Sequence, residues 1–176
     1  MYEIILEFEL SILNTLHSIS CSFLDGIFVF VTHLGDKGML WILLGLCLCF
    51  SKKHRKAGLC MLLALLINFI ICNLSLKPLV ARIRPYEYVS DIKLLVNKLS
   101  DFSFPSGHSS SSFAAAFALC LNNKKWGKVC LIIAGLIAFS RLYLFVHFPS
   151  DVLAGIILGI FSGFMAYKIL NKKQSL

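Results

Sequence analysis

Apolar runs alternate with short polar joints along the whole chain, and no repeat, low-complexity tract or flexible linker interrupts them. The runs cover about 20–33, 39–50, 57–76, 106–121, 129–146 and 151–169. Glycines 35 and 38 enclose the first joint, and the polar stretches 51–56, 77–104, 122–128 and 147–150 supply the others. A run such as 57–76 predicts a helix that, at ~1.5 Å per residue, covers the ~30 Å hydrocarbon core of a bilayer. The first two runs are short for a full crossing and are expected to tilt or to lie partly in the interface. The pattern predicts an all-α integral membrane helical bundle with five or six transmembrane helices, forming a single domain over 1–176. Residues 1–19 carry Glu3, Glu7 and Glu9 and no basic stretch, so they read as an amphipathic interfacial helix rather than a cleavable signal peptide.

Composition agrees with lipid as the solvent. The chain is 58% hydrophobic with mean hydropathy +0.82, above the roughly 45–50% apolar content of soluble domains. The net charge of +8 does not indicate a nucleic-acid partner, because the cations cluster between apolar runs and no basic stripe or stacking platform accompanies them. They follow instead the excess of Lys and Arg in cytoplasmic loops. Lys52, Lys53, Arg55, Lys56, Lys124, Lys125, Lys128, Lys172 and Lys173 occupy one alternating set of joints, with no acid among them. That set is expected inside, which puts the joint near Gly35, the loop 77–104 and the corner 147–150 outside. The 7 cysteines lie almost wholly within apolar runs and read as small hydrophobes rather than as a disulfide framework.

The outward set gathers the candidate chemistry. Lys77 and Arg84 follow the third run, Pro105-Ser106-Gly107-His108 opens the fourth, and Arg141, His147 and Asp151 bracket the last corner. Cations at a membrane boundary need a cavity or a partner. Three that converge favour an anion, and arginine forks suit phosphate. A helix opening at Ser106-Gly107 adds unpaired N–H groups, a hydroxyl donor and room for close backbone approach. His147 and Asp151 stand four apart, so on a helix the carboxylate can orient the ring of a nucleophilic histidine. His108 can donate a proton to a leaving group. Each piece alone has a plainer reading: snorkelling anchors for Lys77 and Arg84, an ordinary helix opening for Pro-Ser-Gly, a first-turn acid for Asp151. Their meeting on one face favours chemistry. His17 and His33 read as interface residues, His54 as part of a basic joint, and Ser109–Ser112 and Gly155, Gly159 and Gly163 as packing surfaces. Asp36 is a lesser candidate for assisting the site.

The three pieces resemble the signature of the type 2 phosphatidic acid phosphatase superfamily. Lys77 through Arg84-Pro85, Pro105-Ser106-Gly107-His108, and Ser140-Arg141 through His147 to Asp151 match its pattern in order and at every position. The resemblance implies a membrane-embedded bundle of the phosphatase/haloperoxidase-like type. It further implies His147 as nucleophile, Asp151 holding it, and His108 as proton donor. Lys77, Arg84, Ser106, Gly107, His108 and Arg141 would bind the phosphoryl oxygens. No metal and no other cofactor are implied. The implied partner is a membrane lipid phosphate in the bilayer: undecaprenyl diphosphate first, then phosphatidylglycerophosphate or phosphatidic acid. A vanadium-type haloperoxidase and a non-catalytic lipid transporter are the more distant alternatives.

Overall fold

The structure, a computed structural model, describes residues 2–89 and 92–172. Lys173 of the basic set and Asp91 of the long loop lie outside the described residues. Every apolar run is a helix, and no strand occurs among the described residues. The order is α1 (Tyr2–Ser18), α2 (Ser22–Leu34), α3 (Met39–Phe50), α4 (Arg55–Phe69), α5 (Lys77–Val80), α6 (Gly107–Asn122), α7 (Lys124–Tyr143) and α8 (Pro149–Lys172). A π-helical stretch, Ile70–Leu76, joins α4 to α5, so the third apolar run stays helical four residues past its predicted end.

Three helical stretches are long and apolar enough to cross a membrane alone: Arg55–Glu87, Lys124–Tyr143 and Pro149–Lys172. Helices α2, α3 and α6, with 13, 12 and 16 residues, fall short of the ~20 residues a perpendicular crossing takes. α1 and α2 meet at 119° and can make a bent crossing together. The polar joint expected over 122–128 is mostly helix. Only Asn123 breaks it, and its side chain accepts a hydrogen bond from the Trp126 N–H to start α7.

Helix α6 is the central post, packed against α3, α4, α7 and α8. Its inner face is made of small residues, with Ala114, Ala115, Ala116 and Ala118 fully buried, which lets neighbours approach closely. The glycine face of α8 uses that space: a Cβ on Gly159 would stand 2.4 Å from the Ser110 carbonyl oxygen, and one on Gly155 2.7 Å from that of Ser106. The serine run packs as expected. Trp41 Nε1 donates to Ser112 Oγ at 2.9 Å, and Asn68 Nδ2 to Ser110 Oγ at 3.1 Å. Large apolar side chains such as Phe50, Ile132 and Leu153 point outward, as lipid-facing positions do.

The joints sort into two ends. At one, Lys56 Nζ donates to Asn171 Oδ1 at 2.6 Å, joining the 51–56 joint to the C-terminal end of α8. At the other, the turn after α2 meets the start of α6, and the loop after α5 meets the corner between α7 and α8.

Candidate active site

Left-handed backbone turns aim the cations. Ala81 (φ 48°) caps α5 through its N–H to the Lys77 carbonyl at 3.0 Å and swings the chain back across the bundle end. Phe145 (φ 60°) does the same after α7, a strained conformation for a bulky residue that the buried Leu144–Phe148 corner holds in place. The corner thereby presents the Val146 carbonyl to Arg84 Nη1 at 2.7 Å.

His147 sits at the centre. Arg84 Nη1 lies 3.2 Å from its Nε2. Its Nδ1 faces Asp151 Oδ2 at 3.6 Å and Ser103 Oγ at 3.4 Å, while Ser103 Oγ donates to the same carboxylate oxygen at 2.5 Å. Ser103 thus bridges the i, i+4 pair, a bond the spacing of His147 and Asp151 did not reveal. The ring's pKa is held well below the ordinary histidine value, by burial first and then by Arg84, Arg141, Lys77 and His108. Arg84, Arg141, Lys77 and His108 are therefore all neighbours of His147, as expected from chain order.

Asp151 is fully buried and has a second set of partners that the sequence reading missed. Arg82 Nη1 donates to its Oδ1 at 2.6 Å, Arg82 Nη2 donates to Glu9 Oε2 at 2.6 Å, and the guanidinium stacks 3.9 Å over the Phe148 ring. Glu9 also accepts from the Ser150 N–H at 2.8 Å. Helix α1 thus clamps the Asp151 turn through one arginine. Arg82 stands between Lys77 and Arg84 in sequence, which is a signal. Glu9 gave none, because its partner is 73 residues away.

The cations differ in how they are satisfied. Arg141 is buried, with Nη1 on Thr32 Oγ1 and with Nε and Nη2 lacking any hydrogen-bond partner. Buried guanidinium donors without a partner suit an anion. Lys77 and Arg84, expected to be unpaired, are not. Both bond the Asp101 carboxylate, Arg84 Nη2 at 2.7 Å. Burial works to raise the Asp101 pKa, but Lys77 and Arg84 hold it down to about 2.

His108 opens α6 beside Gly107, whose Cα faces Lys77: a Cβ there would stand 3.6 Å from Lys77 Nζ. Ser106 is fully buried, and its Oγ caps α6 by accepting from the N–H and Oγ of Ser109 at 3.4 and 2.9 Å. That leaves its own proton to donate. His108 Nε2 pairs with Asp36 Oδ1 at 3.0 Å, and Asp36 Oδ2 with His33 Nδ1 at 2.7 Å, so the lesser candidate Asp36 does reach the site and His33 has a partner. Burial raises the Asp36 pKa, but the two imidazoles bring it below the ordinary carboxylate range. Gly35 makes the contact possible, since a Cβ there would lie 2.7 Å from the His108 ring.

A groove of about 580 Å³ opens from this cluster. Lys77, Asp101, Gly107 and His108 line its polar end, and Ile42, Leu62, Leu66 and Phe69 its apolar trough between α3 and α4. It can hold a ligand with an anionic head and an apolar tail.

Known proteins resemble this chain over most of its length. Residues 57–175 match the model of the PAP2 superfamily. The undecaprenyl-diphosphatase of Sulfolobus acidocaldarius is 35% identical over 147 residues, covering 83% of this chain and 70% of that protein. The lipid A 4'-phosphatase of Bacteroides thetaiotaomicron is 38% identical over 130 residues, covering 68% of this chain and 58% of the relative. The crystal structure of a transmembrane PAP2-type phosphatidylglycerolphosphate phosphatase from Bacillus subtilis superposes with TM-score 0.81 at 29% identity, covering 96% of this chain and 87% of that one.

Proposed function

The chain belongs to the PAP2 superfamily and is a multi-pass membrane phosphatase, and from that premise we propose that it hydrolyses undecaprenyl diphosphate through a phosphohistidine on His147. The observation that carries the reading is the contact of Arg84 Nη1 with His147 Nε2 at 3.2 Å, with Nδ1 turned to Ser103 and Asp151. An Nδ1–H tautomer held there leaves the Nε2 lone pair facing the cations. That lone pair forms an N–P bond to the terminal phosphorus as the bond from that phosphorus to the bridging oxygen of the diphosphate breaks and the lipid monophosphate departs. Lys77, Arg84 and Arg141, with the Ser106 hydroxyl and the Gly107 N–H, stabilise the charge on the equatorial oxygens. His108 gives a proton to the departing oxygen. Water then attacks phosphorus, the N–P bond breaks, and inorganic phosphate leaves with His147 neutral again. Three cations provide the positive charge that a metal ion supplies in other phosphatases, so no metal is needed.

The groove, the relatives and the charge pattern together support this lipid class. An apolar trough that reaches Lys77 and His108 suits a lipid rather than a soluble ester. The basic joints support a site on the extracytoplasmic face of the plasma membrane, where the diphosphate of a used carrier lipid emerges. The structural likeness to the Bacillus subtilis phosphatase supports a second reading, phosphatidylglycerophosphate or phosphatidic acid as substrate. The test is phosphate release by purified protein in liposomes from each of these lipids, with His147→Ala as the blank. The highest kcat/KM is expected on undecaprenyl diphosphate. A preference for a glycerolipid phosphate moves the assignment to the second reading, and no release by folded protein removes both.

A further inference from the structure

Resting on the reading of Lys77, Arg84 and Arg141 as a phosphoryl site, we infer that the Asp101 carboxylate is a displaceable stand-in for phosphate, which neutralises the empty site and opposes rebinding of the inorganic phosphate product. Asp101 follows none of the roles assigned to the motif, and it stands in the loop between α5 and α6. Its two oxygens divide between the cations, Oδ2 on Lys77 Nζ and Oδ1 on Arg84 Nη2 at 2.7 Å. A phosphoryl group bound by these cations must take that place. Lys77 and Arg84 are only 6% and 4% exposed, so leaving them without an anion would expose two uncompensated charges to a poorly solvated site. The carboxylate removes that penalty whenever the substrate is absent.

Three features separate a stand-in from a mere support for the cations. First, Arg84 does not depend on the carboxylate for its aim. Its Nε donates to the Asp101 backbone carbonyl at 2.9 Å, its Nη1 to the Val146 carbonyl at 2.7 Å, and its Nη2 also reaches the Phe102 carbonyl at 3.3 Å. The fork stays in place if the side chain swings out. Second, the Asp101 side chain is 48% exposed and borders the groove, so water can receive it when it leaves. Third, Arg141 keeps two open donors while Asp101 occupies its neighbours. One carboxylate with two oxygens satisfies two cations, whereas a phosphoryl group with three free oxygens can satisfy all three. A substrate that also fills the apolar trough has binding free energy to displace the carboxylate. Inorganic phosphate has only its charge, so the competition falls mainly on the product.

The test compares wild-type protein with Asp101→Asn and Asp101→Ser, two neutral replacements in case one misfolds. Inorganic phosphate is used both as an inhibitor of lipid phosphate hydrolysis and as a ligand in calorimetric titration of the detergent-purified protein. Both variants are expected to bind phosphate roughly tenfold more tightly, the scale of one charge-assisted hydrogen bond lost from the competing state. Phosphate affinity that is unchanged or weaker in the folded variants overturns the inference, because a carboxylate that merely positions the cations would give that result. Phosphate binding undetectable in wild type and variants alike overturns it too. If wild-type protein hydrolyses no lipid phosphate, the catalytic reading fails, while the titration still decides the role of Asp101.

Discussion

A histidine attacks phosphorus only while its ring is neutral, and the surroundings of His147 keep it so. Burial first, and then the neighbouring Arg84, Arg141, Lys77 and His108, lower its pKa well below the ordinary value. The neutral form therefore persists as pH falls through about 6.5, where a free histidine gains its proton. In ¹³C-histidine NMR of the detergent-solubilised protein, the His147 resonance is expected to stay at its neutral position across that range, whereas a titration centred there would show an exposed, unperturbed ring. Ser103 makes a separate prediction. Because its hydroxyl links His147 Nδ1 to Asp151, Ser103→Ala should lower kcat roughly tenfold, the worth of one hydrogen bond, and leave KM near the wild-type value. An unchanged kcat would show that the direct 3.6 Å approach of His147 and Asp151 suffices.

Among the elements, α6 and α8 bear the constraint that matters most to the site, because their contact sets the distance between the Ser106–His108 turn and Asp151. The Ser106 N–H donates to the Asp151 carbonyl at 3.0 Å across that seam. Gly159→Ala would drive a Cβ to 2.4 Å from the Ser110 carbonyl oxygen, which forces the helices apart. The expected cost is about 1–3 kcal/mol, read as a lower unfolding temperature in detergent together with reduced turnover. Gly135→Ala on α7 is the control, since nothing lies within 4 Å of its added Cβ, and its stability should match or slightly exceed that of wild type. Equal stability of the two variants would show that the seam is not close-packed.

For the whole molecule, the helices and the meeting of the motif residues were legible because both follow from chain order. Apolar runs must be helical in lipid, and alternating joints must fall at opposite ends. What the sequence withheld is side-chain pairing across long separations. Glu9 on Arg82, Asp36 on His108 and Asp101 on Lys77 and Arg84 follow no spacing rule, because packing rather than periodicity brings them together. The short α2, α3 and α6 were visible as runs, but how they tilt depends on neighbours. Sidedness is testable by labelling with a membrane-impermeant maleimide in a cysteine-depleted background. Lys98→Cys should react on intact cells and Lys53→Cys only after permeabilisation, whereas the reverse would turn the site to the cytoplasm. Activity should also persist in EDTA if Lys77, Arg84 and Arg141 supply the charge, as proposed. Complete loss restored by one divalent ion would assign that task to a metal.

The proposed hydrolysis depends most on His147 taking the phosphoryl group. Rapid alkaline quenching of the protein during turnover of ³²P-labelled lipid phosphate, followed by peptide mapping, tests this directly. Label that is stable to alkali, released by acid, and confined to the peptide bearing His147 is the predicted result. Label on a different residue, or undiminished turnover in His147→Ala, would contradict it.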